Sequence, residues 1–477
     1  MSNLLLVPIS GTGKRRWPQE FTITASMYFL YSLLLVSALV LGLPFWLWRL
    51  ATQARYRAGL RARLGKVPAN LAQAVKPGIW IHAVSVGEVL AVSRLVDEMR
   101  KRFPEHTIYV STTTATGQEL ARQRWGEANV FFCPLDFNFA IRPYMARVRP
   151  ELLVLAETEF WPNLLRNAHL AGAKIAVVNA RISDRSYPRY RLSRAWWRRV
   201  LAPVDLFLAQ SAKDCDRLLS IGATHDRAQV GGNLKFDISV TKEAAITQML
   251  RKLLPTGTPV LVCGSTMVGE EELVLAAFGE VLEKYPKAVL ILAPRRPERF
   301  DPVAAMAAYF AKERRCTFVR RSMLGSDAAT PQRASILLLD TIGELASIYT
   351  LATVAFVGGS LVDTGGHSIL EPAQFGLPIV VGPHTQNFSE IMAIFRGRGA
   401  VRETAVNDFA ATLLQLLDNA DARTRLGNAA REVFLSEAGA TERTLGALEA
   451  LLQKSTLGKH PDSIVPAIPP AIPKVQQ

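Results

Sequence analysis

The sequence is poor in the residues that build metal centres and disulfide frameworks. It has seven scattered histidines and only four cysteines, which lie far apart at Cys133, Cys215, Cys263 and Cys316. None of these side chains has the short spacing of metal ligands, and two of the cysteines lie in apolar runs typical of buried strands. We therefore expect buried, reduced thiols of a cytosolic compartment, with neither a metal site nor a disulfide.

Acidic residues are also too few to balance the basic ones. The 56 lysines and arginines exceed the 41 aspartates and glutamates, which gives a formal charge of +15. Such an excess favours an anionic partner, namely nucleic acid, a phosphorylated lipid or a membrane surface. The 477 residues, 49% of them hydrophobic, suffice for two or three domains with cores of their own.

Charge is absent from one segment near the N-terminus. No charged residue occurs between Met27 and Trp48, and a helix needs about 20 apolar residues to cross a bilayer. Aromatic residues lie at both ends of the segment, as interface anchors do: Tyr28, Phe29, Tyr31, Phe45, Trp46 and Trp48. No Ala-x-Ala-like cleavage site follows. We therefore predict an uncleaved transmembrane helix over residues 27–50.

Basic residues follow this segment more densely than they precede it. After it come Arg49, Arg55, Arg57, Arg61, Arg63 and Lys66, whereas only Lys14, Arg15 and Arg16 come before. The positive-inside rule then predicts that the large C-terminal part lies in the cytoplasm. Residues 1–26 are polar and irregular and are predicted to be disordered, and Met27 is an alternative start of the chain.

Short apolar runs alternate with helix-like stretches through the rest of the chain. This alternation predicts two Rossmann-like α/β domains with doubly wound parallel sheets, over residues 51–240 and 241–455. The predicted strands of the first are Ile79–Val84, Thr107–Ser111, Asn129–Phe132, Leu152–Ala156, Lys174–Val178 and Leu206–Ala209. Those of the second are Val260–Cys263, Ala288–Leu292, Thr317–Val319, Ile336–Leu339, Thr353–Val357 and Ile379–Val381. The polar, helix-like stretch 238–257 is interpreted as a linker, and the proline-rich tail 456–477 is predicted to be disordered.

Ligands of doubly wound sheets bind beyond the carboxyl ends of the strands, so the residues that follow each strand are candidates for function. Glu88 follows the first strand beside Gly87, and it fits either a general base or an acid at a helix N-terminus. Glu157 and Glu159 follow the fourth strand directly. Lys235 lies in the polar exit from a short strand, where it could meet an anion.

A run rich in arginine and aromatic residues follows the fifth strand, over residues 185–199. Interleaved arginines and aromatic rings suit a membrane interface or phosphate recognition better than a solvated helix face, which is the alternative.

A glycine-rich stretch over residues 357–371 is the main pattern of the second half. Its two glycine pairs, Gly358-Gly359 and Gly365-Gly366, follow a strand and precede a helix expected to begin near Ser368. Unpaired N–H groups and the positive end of a helix dipole suit a phosphate there. A tight turn without a ligand would have the same sequence, so both interpretations stay open.

Two further turns of the second half support a nucleotide site. Arg295 follows a strand and could fork onto phosphate, and the turn Asp340–Leu345 offers backbone groups that could read a base edge. The pattern therefore predicts a nucleotide-activated donor on the second domain and an acceptor on the first.

Taken in order, these motifs closely resemble the 3-deoxy-D-manno-octulosonate (Kdo) transferases of lipid A assembly, from about residue 27 to about residue 450. The motifs are His82–Glu88 (HAVSVGE), Glu157–Asn163 (ETEFWPN), Asn179–Ser183 (NARIS), Gly232–Asp237 (GNLKFD), Ala293–Phe300 (APRRPERF), Asp340–Leu345 (DTIGEL), Gly358–Glu371 and Gly382–Phe388 (GPHTQNF). Any one of them is weak evidence, whereas the ordered set is highly specific.

The resemblance implies a GT-B fold, with two Rossmann-like domains facing a cleft, and a defined reaction. Enzymes of this family transfer Kdo from CMP-Kdo to a tetra-acylated lipid A precursor (lipid IVA) at the cytoplasmic face of the inner membrane. They invert the anomeric centre and use no catalytic metal or other cofactor. The implied partners are thus CMP-Kdo, the lipid A precursor and inner-membrane lipid, with no nucleic acid, and no oligomeric state follows.

The resemblance also implies roles for particular residues. Glu88 corresponds to the general base, and Glu157 and Lys235 correspond to residues that stabilise the transition state. The implied CMP-binding residues are Pro294, Arg295, Ile342, Gly343, Glu344, Ser368, Ile369, Leu370 and Glu371.

One residue departs from the family pattern. The family usually has asparagine after Gly-Gly-His, and Ser368 stands there in this chain. Serine can still cap a helix but reaches less far, so its contact with CMP is open. Two rival interpretations remain, namely another GT-B enzyme that uses a UDP-sugar, such as a transferase or epimerase, and a membrane scaffold without catalysis.

Overall fold

A computed structural model describes residues 19–53, 57–238, 243–324 and 335–457 of the chain. These residues form two units with separate internal contacts. The first unit contains the residues up to Lys235 and the helix that begins at Ala440, and the second runs from Phe236 to Gly439. Each unit is built around a parallel sheet of its own.

The sheet of the first unit has seven parallel strands in the order β3-β2-β1-β4-β5-β6-β7. They are β1 Gly78–His82, β2 Thr107–Thr112, β3 Val130–Phe132, β4 Pro150–Ala156, β5 Lys174–Ala180, β6 Leu206–Ala209 and β7 Ala228–Val230. Successive side chains of β1 enter different apolar cores, with Ile79 and Ile81 in one and Trp80 in the other. The sheet is therefore covered on both faces, as parallel sheets are.

Helices connect these strands and supply the covering layers. They are Gln19–Leu41, Leu43–Thr52, Leu60–Arg63, Val86–Arg102, Ala115–Trp125, Asn138–Val148, Pro162–Leu170, Tyr187–Leu192, Arg194–Val200, Ala212–Ile221 and Ala440–Leu457. The helix Val86–Arg102 illustrates the pattern, since it buries Val89, Val92 and Val96 along one face. Its last turn carries three basic side chains, which complement the negative end of the helix dipole.

The second unit repeats the architecture with strand order β10-β11-β9-β8-β12-β13-β14. Its strands are β8 Val260–Thr266, β9 Val289–Pro294, β10 Thr317–Arg320, β11 Ser335–Leu338, β12 Val354–Val357, β13 Ile379–Val381 and β14 Arg402–Glu403. Its helices are Ala245–Leu253, Glu270–Lys284, Phe300–Arg314, Leu345–Ile348, Leu370–Ala373, Ser389–Gly397, Phe409–Asp418 and Ala420–Glu437.

Both sheets reverse their strand order beside the first strand of the unit. In the first unit β1 pairs with β2 on one side and with β4 on the other. In the second unit β8 pairs with β9 and with β12 in the same way. Such switch points open a crevice at the carboxyl ends of the strands, where ligands of doubly wound sheets bind.

The N-terminal segment differs from the single transmembrane helix predicted over residues 27–50. Two helices, Gln19–Leu41 and Leu43–Thr52, meet at Gly42 with a bend of 60°. The break has a local cause, because Pro44 lacks an N–H donor and Gly42 is a weak helix former. Among the described residues no single helix is long and apolar enough to span a membrane, whereas this bent pair, from Ser26 to Thr52, meets both criteria jointly.

Two predicted boundaries also differ from the structure. The helix-like stretch 238–257, interpreted as a linker, does contain a helix, Ala245–Leu253, but the Ile246 and Leu250 side chains of this helix are buried in a core of the second unit. The helix Ala440–Leu457 packs in the first unit, although the sequence assigned residues up to 455 to the second. Residues 19–26, predicted to be disordered, form the start of the helix Gln19–Leu41, whereas the segments 1–18 and 458–477 lie outside the described residues.

Candidate active site

Glu88 lies at the switch point of the first sheet, in the first turn of the helix Val86–Arg102 that follows β1, which is also the position expected of an acid at a helix N-terminus. Its carboxylate accepts hydrogen bonds from the backbone N–H of Val84 (2.8 Å) and from the hydroxyl of Ser85 (3.0 Å). Glu88 is buried, and burial raises the pKa of its carboxyl to about 7. The nearby carboxylates of Glu157 and Glu159 raise it further, while the two hydrogen bonds act in the opposite direction.

Glu157 occupies the neighbouring position, directly after β4. Its backbone is left-handed (φ 57°), and its N–H donates to the carbonyl oxygen of Val178 in β5 at 2.9 Å. Its carboxylate lies 3.3 Å from the Nζ atom of Lys235. The Lys235 and Glu157 side chains are 31% and 22% exposed, so this ion pair is accessible to a ligand without being fully solvated.

Glu159 is held by an indole rather than by a cation. The Nε1–H group of Trp161 donates to its carboxylate at 3.0 Å. Burial raises the pKa of Glu159, and the neighbouring charge of Glu157 raises it too. Three carboxylates thus share this edge of the sheet with the ammonium group of Lys235, an arrangement that keeps Glu88 poised to exchange a proton near neutral pH.

The structure therefore brings together the three predicted catalytic residues of the first half. Glu88 follows β1, Glu157 follows β4, and Lys235 lies in the short turn Leu234–Phe236 beyond β7. Sequence reasoning placed Glu159 beside Glu157 but gave it no role. Its role as a charge that raises the pKa of Glu88 becomes visible only when the strands are paired.

In the second unit, Arg295 lies close to Glu371 and His367. It directly follows Pro294, the last residue of β9. Burial raises the pKa of Glu371, and the Arg295 guanidinium opposes that rise. Burial also lowers the pKa of His367 to about 4, with Arg295 and Arg296 adding to the effect. A neutral imidazole, a carboxyl group and exposed guanidinium groups thus converge beyond β9 and β12.

Among the described residues, the Nε2 atom of His367 has no hydrogen-bond partner. His367 was not among the predicted donor-binding residues. The Gly-Gly-His pattern beside Ser368 was the available signal.

The predicted residues Ile342, Gly343 and Glu344 form an exposed turn after β11. The Ile342 side chain is 79% exposed, and Gly343 has a left-handed backbone (φ 91°). The Glu344 carboxylate accepts two hydrogen bonds from the Arg321 guanidinium, at 3.0 and 2.8 Å. Glu344 therefore serves to hold Arg321 beside this turn, a pairing that no sequence motif indicated.

The first glycine pair does not offer its N–H groups to a phosphate. The N–H groups of Gly359, Ser360 and Leu361 all donate to the buried carboxylate of Glu270, at 2.6 to 2.9 Å. The backbone N–H of Met267 donates to the same carboxylate at 2.9 Å. The expected phosphate cradle at Gly358-Gly359 is thus filled by an internal anion, and the tight-turn interpretation holds for this pair.

The predicted helix after the second glycine pair is also shorter and begins later than expected. It spans Leu370–Ala373, a single turn, so its dipole is small compared with that of a full helix. Ile369 and Leu370 are buried in the core, which leaves their backbone rather than their side chains to face a ligand. The Ser368 hydroxyl lies 3.4 Å from the Leu370 N–H group, a long contact for a cap.

The arginine-rich run over residues 185–199 folds into two short helices, Tyr187–Leu192 and Arg194–Val200. Its aromatic rings pack against the first unit, with Phe160 5.9 Å from Trp197 between ring centroids. Trp196 lies 6.0 Å from Tyr31 of the N-terminal helix. This run therefore borders the apolar N-terminal segment.

Comparison with known proteins identifies the family. A family model described as 3-Deoxy-D-manno-octulosonic-acid transferase (kdotransferase) matches residues 58–238, and one for Glycosyl transferases group 1 matches residues 329–433. The 3-deoxy-D-manno-octulosonic acid transferase of Haemophilus influenzae is 34% identical over 84% of this chain and 93% of its own length. That of Bordetella pertussis is 36% identical over 85% of this chain and 95% of its own.

A solved structure supports the fold alone. The structure of a putative UDP-N-acetylglucosamine 2-epimerase from Listeria monocytogenes has a TM-score of 0.52 and 14% identity, and the match covers 80% of this chain and 98% of the other. The chain belongs to the 3-deoxy-D-manno-octulosonic acid (Kdo) transferases and is a glycosyltransferase with the two α/β domains of the GT-B class.

Proposed function

We propose that this enzyme transfers Kdo from CMP-Kdo to the lipid A precursor lipid IVA during lipopolysaccharide synthesis, with inversion and without a catalytic metal. The observation that carries the proposal is the buried Glu88 carboxylate at the switch point of the first sheet, whose pKa of about 7 suits a general base. The reaction class follows the family to which the chain belongs, and the residues below supply its steps.

In the proposed reaction, Glu88 takes the proton from a hydroxyl group of the acceptor sugar. The hydroxyl oxygen forms a bond to the anomeric carbon of Kdo, while the bond from that carbon to the phosphate oxygen breaks and its electron pair leaves with CMP. Attack on the side opposite the leaving group inverts the anomeric centre. The hydrogen bonds from Val84 and Ser85 orient the carboxylate for this proton transfer.

Lys235 and Glu157 form the second part of the proposed machinery. The ammonium group is half-buried and lies 3.3 Å from the Glu157 carboxylate, which keeps it oriented. Lys235 can then stabilise negative charge that develops in the transition state without a metal ion. The Lys235 ammonium also offsets part of the negative charge that the edge carries while Glu88 is ionised.

The proposed donor site consists of the segments after β9, β11 and β12. Arg295 supplies a guanidinium that can bind the CMP phosphate, and Glu371 beside it can accept hydrogen bonds from the ribose hydroxyls. The remaining groups of the proposed CMP site are the segment Ile342–Glu344 and the backbone of Ser368–Leu370. Strand order supports this grouping, because β11, β9, β8 and β12 are consecutive neighbours in the sheet.

We also propose that the enzyme is held at the cytoplasmic face of the inner membrane by its N-terminal helix pair. Apolar side chains along this pair are exposed, including Phe29 (71%) and Leu41 (83%), and the arginine-rich run borders it. Apolar side chains can enter the bilayer while arginines meet anionic headgroups. Fractionation with extraction at alkaline pH tests attachment, and protease protection of inverted vesicles tests orientation.

The decisive experiment compares purified wild-type enzyme with Glu88→Gln in the transfer of Kdo from CMP-Kdo to lipid IVA. General-base catalysis predicts a loss of about 10²- to 10⁴-fold in kcat, with donor binding retained. Glu98→Gln is the matched control, because Glu98 lies on the same helix and pairs with Lys101 at the surface. Product mass counts the Kdo residues, NMR gives the anomeric configuration, and activity in EDTA tests metal independence.

Each result has a separate consequence. Equal activity in Glu88→Gln would remove Glu88 from the mechanism without affecting the choice of substrates. Absence of product from the wild type, together with protection by a UDP-sugar against thermal unfolding, would favour another GT-B reaction.

A further inference from the structure

Two non-glycine residues with left-handed backbones lie side by side at the carboxyl edge of the first sheet. Glu157 (φ 57°) follows β4, and Asn179 (φ 55°) lies near the end of the neighbouring strand β5. The pairing of β5 with β6 is irregular between Val177 and Ala180, so Asn179 lies outside the regular ladder. Such backbones are strained and persist where surrounding contacts hold them, often at functional sites.

Two buried contacts hold Asn179 in this conformation, and one of them connects it to the turn that carries Lys235. The Nε2 atom of Gln210 donates to the Asn179 backbone carbonyl at 3.0 Å. The Asn179 side-chain oxygen accepts the backbone N–H of Leu234, also at 3.0 Å. Glu157 joins the same strand, since its N–H donates to the carbonyl of Val178. Asn179 itself is only 1% exposed.

The contact with Leu234 fixes the backbone immediately before Lys235. The next N–H along the chain, that of Lys235, donates to the side-chain oxygen of Asn233 at 3.0 Å. With its backbone fixed at two consecutive N–H groups, Lys235 extends its side chain to the Glu157 carboxylate. Two consecutive residues of β5 thus fix the two partners of the ion pair. Val178 binds the backbone of Glu157, and Asn179 binds the backbone next to Lys235.

We propose that Asn179 is a positioning residue, which fixes the turn at Leu234 so that the Lys235 ammonium stays beside Glu157. The inference rests on the proposed function, in which Lys235 stabilises the transition state. Asparagine suits the position for two reasons, because it tolerates the left-handed backbone and supplies the oxygen that Leu234 requires. Glycine would tolerate the left-handed backbone but has no acceptor oxygen, whereas aspartate would tolerate the backbone and also supply the oxygen.

These properties define the variants. Asn179→Gly keeps the backbone conformation accessible and removes the acceptor, so it isolates the hydrogen bond from backbone strain. Asn179→Asp keeps the acceptor and serves as the rescue. Asn419→Gly is the matched control, because it removes another side-chain oxygen that accepts a backbone N–H (Ala422, 2.9 Å), in the second unit. Thermal melting verifies that each variant folds.

The first readout does not depend on activity. Acetylation of Lys235 by a water-soluble acylating reagent is followed by mass spectrometry in the full-length enzyme. Loosening of a partly exposed ion pair should speed acetylation roughly two- to fivefold in Asn179→Gly. Asn419→Gly should react at the wild-type rate, and Asn179→Asp, which keeps the acceptor and adds a negative charge beside the turn of Lys235, should react no faster than the wild type. An unchanged rate in Asn179→Gly would overturn the proposal, whether or not the enzyme transfers Kdo.

The second readout links the turn to catalysis through a double-mutant cycle. Asn179→Gly should lower kcat about 10- to 100-fold, as misplacement of a catalytic group does, with little change in KM for CMP-Kdo. In a Lys235→Met background the same substitution should have almost no further effect. An equal loss in both backgrounds would overturn the proposal, since Asn179 would then act independently of Lys235. A wild-type protein that transfers no Kdo would instead refute the proposed function, and acetylation would still decide the role of Asn179.

Discussion

The Glu88 carboxylate is buried and accepts two hydrogen bonds. Burial raises the pKa of this carboxyl group and the hydrogen bonds lower it, so the balance between the two effects decides whether Glu88 can act as a base. Burial dominates, so the folded protein holds the pKa of this carboxyl at about 7, well above its ordinary value. A raised carboxyl pKa means that the ionised form is disfavoured by folding, and stability is lost as the pH rises through the pKa. The protein therefore tolerates an unfavourable charge at the position where a base is needed, as catalytic sites often do.

This environment predicts the pH dependence of the reaction. We expect kcat/KM to rise along an acid limb centred near pH 7, because only ionised Glu88 accepts a proton. Glu159→Gln removes one of the charges that raise the pKa of Glu88, so the limb should move to lower pH. Rate profiles of wild type, Glu159→Gln and the surface variant Glu98→Gln measure the shift. A limb that stays in place in Glu159→Gln would contradict the assigned coupling.

Glu270 determines what the glycine-rich turn after β12 binds. A glycine pair after a strand has the same sequence whether it binds a phosphate or an internal carboxylate. Here the carboxylate of Glu270 satisfies the N–H groups of Gly359, Ser360 and Leu361 from a helix about 90 residues away in the chain. In the sequence Glu270 begins the acidic run Glu270-Glu271-Glu272, and nothing local indicates which turn its carboxylate reaches.

At the scale of elements, the buried strands were predictable, whereas the bounds of two exposed edge strands were not. Ile379–Val381 and Leu206–Ala209 match the structure at both ends, since apolar runs bounded by polar turns define them. The sequence indicated a short strand before Lys235 without bounds, now Ala228–Val230, and it did not indicate Arg402–Glu403; both strands lie at sheet edges and have mostly exposed side chains. An edge strand needs no apolar run, so it carries no hydrophobic signal.

The N-terminal helix is joined to the first unit by polar contacts that its apolar sequence did not suggest. The Tyr31 hydroxyl donates to the Asp136 carboxylate at 2.9 Å, and the Ser32 hydroxyl accepts from the Asn163 side chain at 3.2 Å. Asp136 also accepts the backbone N–H groups of Asn163 and Leu164 at the start of a helix. The segment is thus part of the fold of this unit as well as a candidate membrane attachment.

We accordingly expect Tyr31→Phe to destabilise the first unit. The substitution leaves the buried Asp136 carboxylate with one donor fewer, which costs about 1–3 kcal/mol. Chemical denaturation in a fixed detergent measures the loss, and Phe29→Leu, at an exposed position of the same helix, is the control. Equal stability of the two variants would mean that the helix is only a tether.

At the scale of the whole molecule, the two-domain organisation followed from the sequence but the membership of the last helix did not. Alternating strands and helices fixed the number and type of the sheets. The helix Ala440–Leu457 is amphipathic, and its pattern indicates that one face is buried without indicating against which sheet. The structure packs that face on the helix Val86–Arg102 and on β5, in the core that also supports Glu88.

This packing makes the C-terminal helix a stabiliser of the unit that carries the base. Leu448 is fully buried, so Leu448→Ala should cost about 2–5 kcal/mol through lost burial and a residual cavity. Hydrogen exchange should reveal the loss in amides of β1 and β5, while amides of β8 and β12 keep their protection because their cores lack this side chain. Leu435→Ala, at a 59% exposed position of the second unit, should leave both sets unchanged. A loss confined to β8 and β12 would place the helix in the second unit, as the sequence had predicted.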